Sequence, residues 1–152
     1  MAGLSSFLCK NVTPAKTRES FPLSSRFVEY DEDGNVVRDV NGQAVPALFT
    51  IEALEVSKYM RIASGSVSMQ SGELGLKDDS VTQSTLTLIA ESLKVPDLHD
   101  KTLQDSYGVL TATDLIDKMF TSAEVQTLIE RINKLQNGEG SFEDKVDEVK
   151  NL

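Results

Sequence analysis

Residues 103–151, LQDSYGVLTATDLIDKMFTSAEVQTLIERINKLQNGEGSFEDKVDEVKN, decide how the chain reads, because each helix boundary within them has its own local cause. Thr121 precedes Ser122-Ala123-Glu124. Its hydroxyl can accept the backbone N–H of Glu124 while the Glu124 carboxylate reaches back to the Thr121 N–H, which makes a capping box. From there Val125, Leu128, Ile129, Ile132 and Leu135 fall on one face of a helical period, with polar residues on the other. Asn137-Gly138 supplies a left-handed stop, so the helix holds about fifteen residues and is roughly 22 Å long. Ser141 reads as the N-cap of a last short helix carrying Phe142, Val146 and Val149, with Glu143 and Asp144 complementing the dipole of its first turn. Upstream, Thr111 or Thr113 caps a helix holding Leu115, Ile116, Met119 and Phe120. Asp105-Ser106-Tyr107-Gly108 reads as a corner: Asp105 and Ser106 can bond backbone N–H groups, Gly108 can take a positive φ, and Tyr107 can pack its ring.

Outward from this stretch, the rest of the chain reads as a single domain over 1–152. Leu4 to Lys10 forms a short helix, interrupted by Thr13-Pro14. Residues 19–50 read as a small antiparallel β-meander: Ser25 to Tyr30 and Val36 to Val40 are joined by the Asp31–Asn35 turn, and Asn41-Gly42 leads to Gln43–Phe49. Thr50 can cap a helix over 51–63 that includes Ile51, Leu54, Met60 and Ile62, and a second helix over 80–94 turns Leu86, Ile89, Ala90 and Leu93 inward. Between them the Gly- and Ser-rich residues 64–77 read as a mobile loop. Val95-Pro96 closes the second helix, because the residue before proline is driven out of helical geometry. The expected class is α+β, mainly helical, with about six helices and a small N-terminal meander.

Composition narrows the function classes. The 39% hydrophobic and 26% charged content is ordinary for a globular domain, and the single Cys9 forms no intrachain disulfide and is expected to be a partly buried small hydrophobe. No apolar run approaches the roughly 18 residues a bilayer span needs, and the start lacks the basic-then-apolar order of a signal peptide; a cytoplasmic, non-membrane protein is expected. Of the net charge of −9, residues 77–152 carry −7, with 8 Lys and Arg against 15 Asp and Glu. That field repels phosphate backbones, and no basic patch interleaved with aromatics is present, so nucleic-acid binding is disfavoured.

Each catalytic or metal motif fails on its own spacing. Asp31-Glu32-Asp33-Gly34-Asn35 resembles a calcium loop, but a loop starting at Asp31 would place Val36 where Gly is needed and Gly42 where Glu is needed. His99, the single histidine, lies between Asp97 and Asp100 with no nucleophile or further nitrogen ligand in view. Gly65, Gly72 and Gly75 are not followed by the Lys-Ser/Thr of a phosphate loop. No enzyme, cofactor or metal is expected.

Pro96 to Leu98, LQDSYGV at Leu103–Val109, ATDLIDKMFTSAEVQTLIERIN and the terminal FEDKVDEVKN together resemble the XkdN-like family of phage tail assembly chaperones, in order and spacing as well as residue type. A weaker echo lies in SSRFVEYDEDGN, Ser24 to Asn35. The resemblance implies a protein that binds the tape measure protein and keeps it soluble while the tail tube polymerises around it. It further implies recruitment of the tail tube protein through a frameshift-extended form, action in the host bacterial cytoplasm and absence from the mature virion; a homo-oligomer is compatible with it. The partner-binding candidates are Tyr107 and the stripe Val125, Leu128, Ile129, Ile132 and Leu135. The stripe is first of all core, but it offers more apolar width than one helix contact requires, and Leu128 or Leu135 is the expected point of exposure. Two other classes stand beside this one. An acidic phage-encoded inhibitor or nucleic-acid mimic would bear rows of acids and little exposed apolar surface, and a small enzyme would need a constellation the chain lacks.

Overall fold

The structure is a computed structural model that describes residues 3–68 and 77–138. Three strands form one antiparallel sheet in the order β1 (Arg18–Pro22), β2 (Leu48–Glu52), β3 (Leu93–Val95). Arg18 pairs with Glu52 and Pro22 with Leu48, while β2 meets β3 through a register shift at Thr50/Ile51. Five α-helices accompany it among the described residues: α1 (Val56–Ser68), α2 (Lys77–Ser92), α3 (Lys101–Ser106), α4 (Ala112–Met119) and α5 (Ser122–Gln136). The class is α+β and mainly helical, as expected. The sixth expected helix, with Phe142, Val146 and Val149, falls outside the described residues.

Between β1 and β2 the three extended segments expected from the sequence are present, but they close on one another instead of lying flat. Glu29 N–H donates to Val45 O, Val45 N–H to Val37 O and Val37 N–H to Glu29 O, each at 2.9 Å. Residues eight apart thus form a triangle in which each segment touches both others. The two turns between them repeat the same chemistry. Asp31 Oδ1 accepts from the N–H groups of Asp33 and Asn35, and Asp39 Oδ1 from those of Asn41 and Gln43. Gly34 (φ 83°) and Gly42 (φ 79°) occupy the left-handed position of each turn. The Asp31 carboxylate that invited a calcium reading is therefore occupied by its own backbone.

Several boundaries differ from expectation. Residues 48–52, expected to straddle the start of a helix capped by Thr50, are strand β2. Ile51 is fully buried there, and Thr50 Oγ1 meets Ser20 Oγ at 2.8 Å across the sheet. The helix begins later, at Val56, and continues through Ser68, so the first residues of the expected loop are helical; residues 69–76 lie outside the description. Leu93–Val95, expected as the end of a helix, leave α2 to form β3. The Leu4–Lys10 segment is two 3₁₀ turns, Leu4–Phe7 and Cys9–Asn11, with no buried residue, and Cys9 is exposed instead of partly buried.

One core joins all of this. Phe21, Phe49 and Ile51 of the sheet pack with Ile89 and Leu93, and with Leu115, Ile116, Leu128, Ile132 and Leu135 of α4 and α5. Phe27, Phe49 and Phe120 form a ring cluster with centroids 5.0–6.0 Å apart. Gln136 locks the end of α5 to the connector after β2, its side-chain amide both accepting from Leu54 N–H and donating to Leu54 O at 3.0 Å.

Candidate docking groove

The turn between α4 and α5 is held from both ends of the sequence. Thr111 caps α4, accepting from Asp114 N–H, which decides between the two threonines. Thr121 Oγ1 accepts from Glu124 N–H at 3.2 Å and Glu124 Oε1 from Thr121 N–H at 2.8 Å, completing the expected capping box. The same carboxylate has a second role. Arg26 Nε and Nη2 donate to its two oxygens at 2.9 and 2.5 Å, Ser24 Oγ donates at 2.5 Å, and Arg26 Nη2 also donates to Met119 O at 2.7 Å. Glu124 is buried, and the Arg26 hydrogen bonds hold its pKa at about 2, against desolvation and with help from Ser24 and Thr121. The Arg26 guanidinium is raised in turn, chiefly by its bond to Glu124. The two separated blocks that carry the sequence resemblance, Ser24–Phe27 and Phe120–Glu124, thus meet here in space.

Beside this turn an open groove of about 370 Å³ runs between α2 and the α4–α5 junction. Ile116 and Phe120 form its buried floor, Leu86 and Val125 are half-buried walls, and Asp117, Thr121, Ser122 and Gln126 complete the lining. Two other hollows are lined mainly by polar residues. Leu110 is the one large aliphatic in the hollow beside Glu91 and His99, and Leu103 in the one beside Asp97 and Asp100. Of these three hollows, the groove beside the α4–α5 turn has the most large apolar side chains in its lining.

The structure divides the predicted site residues. Val125 lines the groove, and Ile129, one turn on, is half-buried against the core. Leu128, Ile132 and Leu135 are at most 3% exposed, so the expectation that Leu128 or Leu135 offers a free surface is corrected: both point inward onto the sheet and α2 core. Tyr107 is exposed at the end of α3, outside the groove. There Gly108 takes φ 70°, Val109 N–H bonds Gln104 O and Gly108 N–H bonds Asp105 O, a Schellman ending that confirms the expected corner. The side chains act differently from expectation: Ser106 Oγ donates to Leu103 O, and Asp105 pairs with Lys101. Leu86, Ile116 and Phe120 read in the sequence only as inward-facing; what escaped was that α2 and α4 leave a gap above them.

His99 Nε2 lies 2.9 Å from Glu91, whose other oxygen pairs with Lys58 Nζ at 3.0 Å; those two partners, Lys58 first, lower the Glu91 pKa. This cluster links α1, α2 and the loop after β3. Among the described residues no group of three or more His, Cys, Asp or Glu could hold a metal, and no helix is long and apolar enough to cross a membrane.

The fold is a small α+β domain with an open groove beside the α4–α5 turn. Residues 5–150 match the model of the phage XkdN-like tail assembly chaperone proteins, and the chain belongs to that family. It is accordingly a phage tail assembly chaperone, an assembly factor. Its fold is similar to the crystal structure of the protein YqbN, with a TM-score of 0.58 at 15% identity over 90% of this chain and 97% of that one. No curated protein matches the chain.

Proposed function

We propose that the chain binds the tape measure protein in the groove between α2 and the α4–α5 junction, and holds it soluble until the tail tube polymerises around it. The observation that carries this reading is an apolar floor and walls, Leu86, Ile116, Phe120 and Val125, left open beside Asp117 on a protein of net charge −9. Such a surface suits the apolar face of an amphipathic helix with basic flanks, a helix-in-groove mode that needs no chemistry. An acidic mimic would need rows of acids without such a floor. The chaperone works in the host bacterial cytoplasm and leaves before the virion is complete, and a frameshift-extended form would bring the tail tube protein to the same complex.

One buried aliphatic anchor is worth about 1.5–3 kcal/mol, a tenfold or larger change in affinity. Val125→Asp is therefore expected to weaken capture of the tape measure protein by about tenfold or more while the helical circular dichroism persists. Capture at wild-type strength by a folded Val125→Asp chain would remove the groove from the mechanism.

A further inference from the structure

The segment Leu4–Val12 presents Leu4, Phe7, Leu8 and Val12 at the spacing of one helix face, yet none of them is buried: they are 77%, 69%, 39% and 48% exposed. In the single chain the segment is two 3₁₀ turns on either side of extended Leu8, with Asn11 Nδ2 donating to Ser5 O, and these four side chains are left without a cover. Its charge is also opposite to that of the body. Residues 1–18 hold Lys10, Lys16 and Arg18 and no acid, which leaves 12 Lys and Arg against 24 Asp and Glu in the remainder, or −12. Neither Lys10 nor Asp117 at the groove has an ion-pair partner among the described residues.

We infer that the Leu4–Val12 segment of one copy docks in the α2/α4–α5 groove of a second copy, with Phe7 and its aliphatic neighbours on the Ile116–Phe120 floor and Lys10 near Asp117. The occupant is a second copy because the segment combines the apolar spacing and the positive charge that the groove lacks, and because in the single chain it stands off the body. The tether explains why. Thr17 O is bonded to Ala53 N–H, and Pro14 stiffens the few residues between that anchor and the segment. Segment and client would then compete for one groove, so free chaperone associates with itself and a captured client releases the copies. The inference rests on the groove being a docking site but not on the identity of its client.

The exposed Cys9 lies within the segment and reports its position directly. In full-length chain carrying Gln126→Cys on the groove rim, mild oxidation at micromolar concentration is expected to give dimers and longer species on a non-reducing gel. Phe7→Asp should abolish them, and Asp33→Cys in place of Gln126→Cys should not produce them. In sedimentation of chains with the native cysteine, Lys10→Glu is expected to weaken self-association by about tenfold and Asp117→Lys added to it to restore association. A disulfide formed within one chain, no disulfide at all, or crosslinking indifferent to Phe7→Asp would each overturn the inference. Because Phe7 lies outside the groove, any of these results leaves the Val125→Asp capture test standing on its own.

Discussion

The α4–α5 pair and the Arg18–Glu52 region fold on different kinds of information. In the helix pair each boundary is set within a few residues: Thr111 bonds Asp114, Thr121 and Glu124 bond each other, and Gly138 stops α5 with φ 84°. In the other region structure comes from afar, since Arg18 finds Glu52 and β2 borrows β3 from beyond α2. The two meet at Arg26–Glu124, 98 residues apart, where a local cap becomes a long-range tether. A single carboxylate can therefore end one element and position another. Local legibility and global placement are separate properties of the same residue.

The largest effect should come from breaking the helix pair where it serves both regions. Leu128→Asp puts a charge at a fully buried position, and loss of the folded state is expected, at a cost above about 4 kcal/mol, seen as collapse of the thermal transition. A cooperative Leu128→Asp chain with a near wild-type melting temperature would show that the two regions do not share a core.

The tether comes next. Glu124→Gln keeps the shape but removes the charge, and is expected to cost on the order of 3 kcal/mol at neutral pH, since the carboxyl sits near pKa 2 in the fold against 4.5 as its ordinary value. The sign follows from that depression: the contribution is full above about pH 4.5 and is lost as pH falls toward 2. Denaturant melts of wild type should weaken across that window, and Glu124→Gln should flatten the slope. An unchanged acid limb in the variant would assign the pH dependence to other carboxylates.

Smaller effects separate the triangle from the helices. Gly42→Ala meets no atom within 4 Å of the new Cβ, so its expected cost of about 1–2 kcal/mol is purely that of φ 79° in an L-residue. Hydrogen exchange should show the loss concentrated in residues 37–45, with the α5 amides unaffected. The smallest stability change, about 1 kcal/mol or less, is expected for Val125→Asp in thermal melts, because its side chain is only half-buried at the groove wall.

What the sequence disclosed follows the same division. Thr121, Glu124 and Asn137-Gly138 announce α5 because caps are short-range chemistry, and the Asp31 and Asp39 turns are as readable for the same reason. Strand β1 had no such mark, because its partner residues lie 26–34 positions away. Thr50, a threonine before an apolar run, satisfies the rule for a helix cap, but pairing of β2 with β1 and β3 and burial of Ile51 in the shared core override it. Helix α3 is six residues long, too short for a period, and only Asp100, whose side chain accepts Leu103 N–H, marked its start. The groove needed three elements to be placed together. Val125 was identified from its stripe, but the same stripe carried Leu128 and Leu135 into the list, since a period shows which face is apolar and not how far the neighbouring elements cover it.

The triangle at Glu29, Val37 and Val45 bears on solubility in a way that charge does not. A β-sheet edge exposes a row of unsatisfied N–H and C=O groups that can recruit another strand and seed aggregation. Here the N–H and C=O of all three central residues are consumed within the ring, so this extended region offers no edge at its centre. The sheet proper keeps only two edges. One is the five-residue β1, which ends in Pro22, and the other is the three-residue β3, which runs into Pro96. Under the proposed function, in which the groove holds an aggregation-prone chain, such closure is a safeguard: it lends an apolar groove without lending a template.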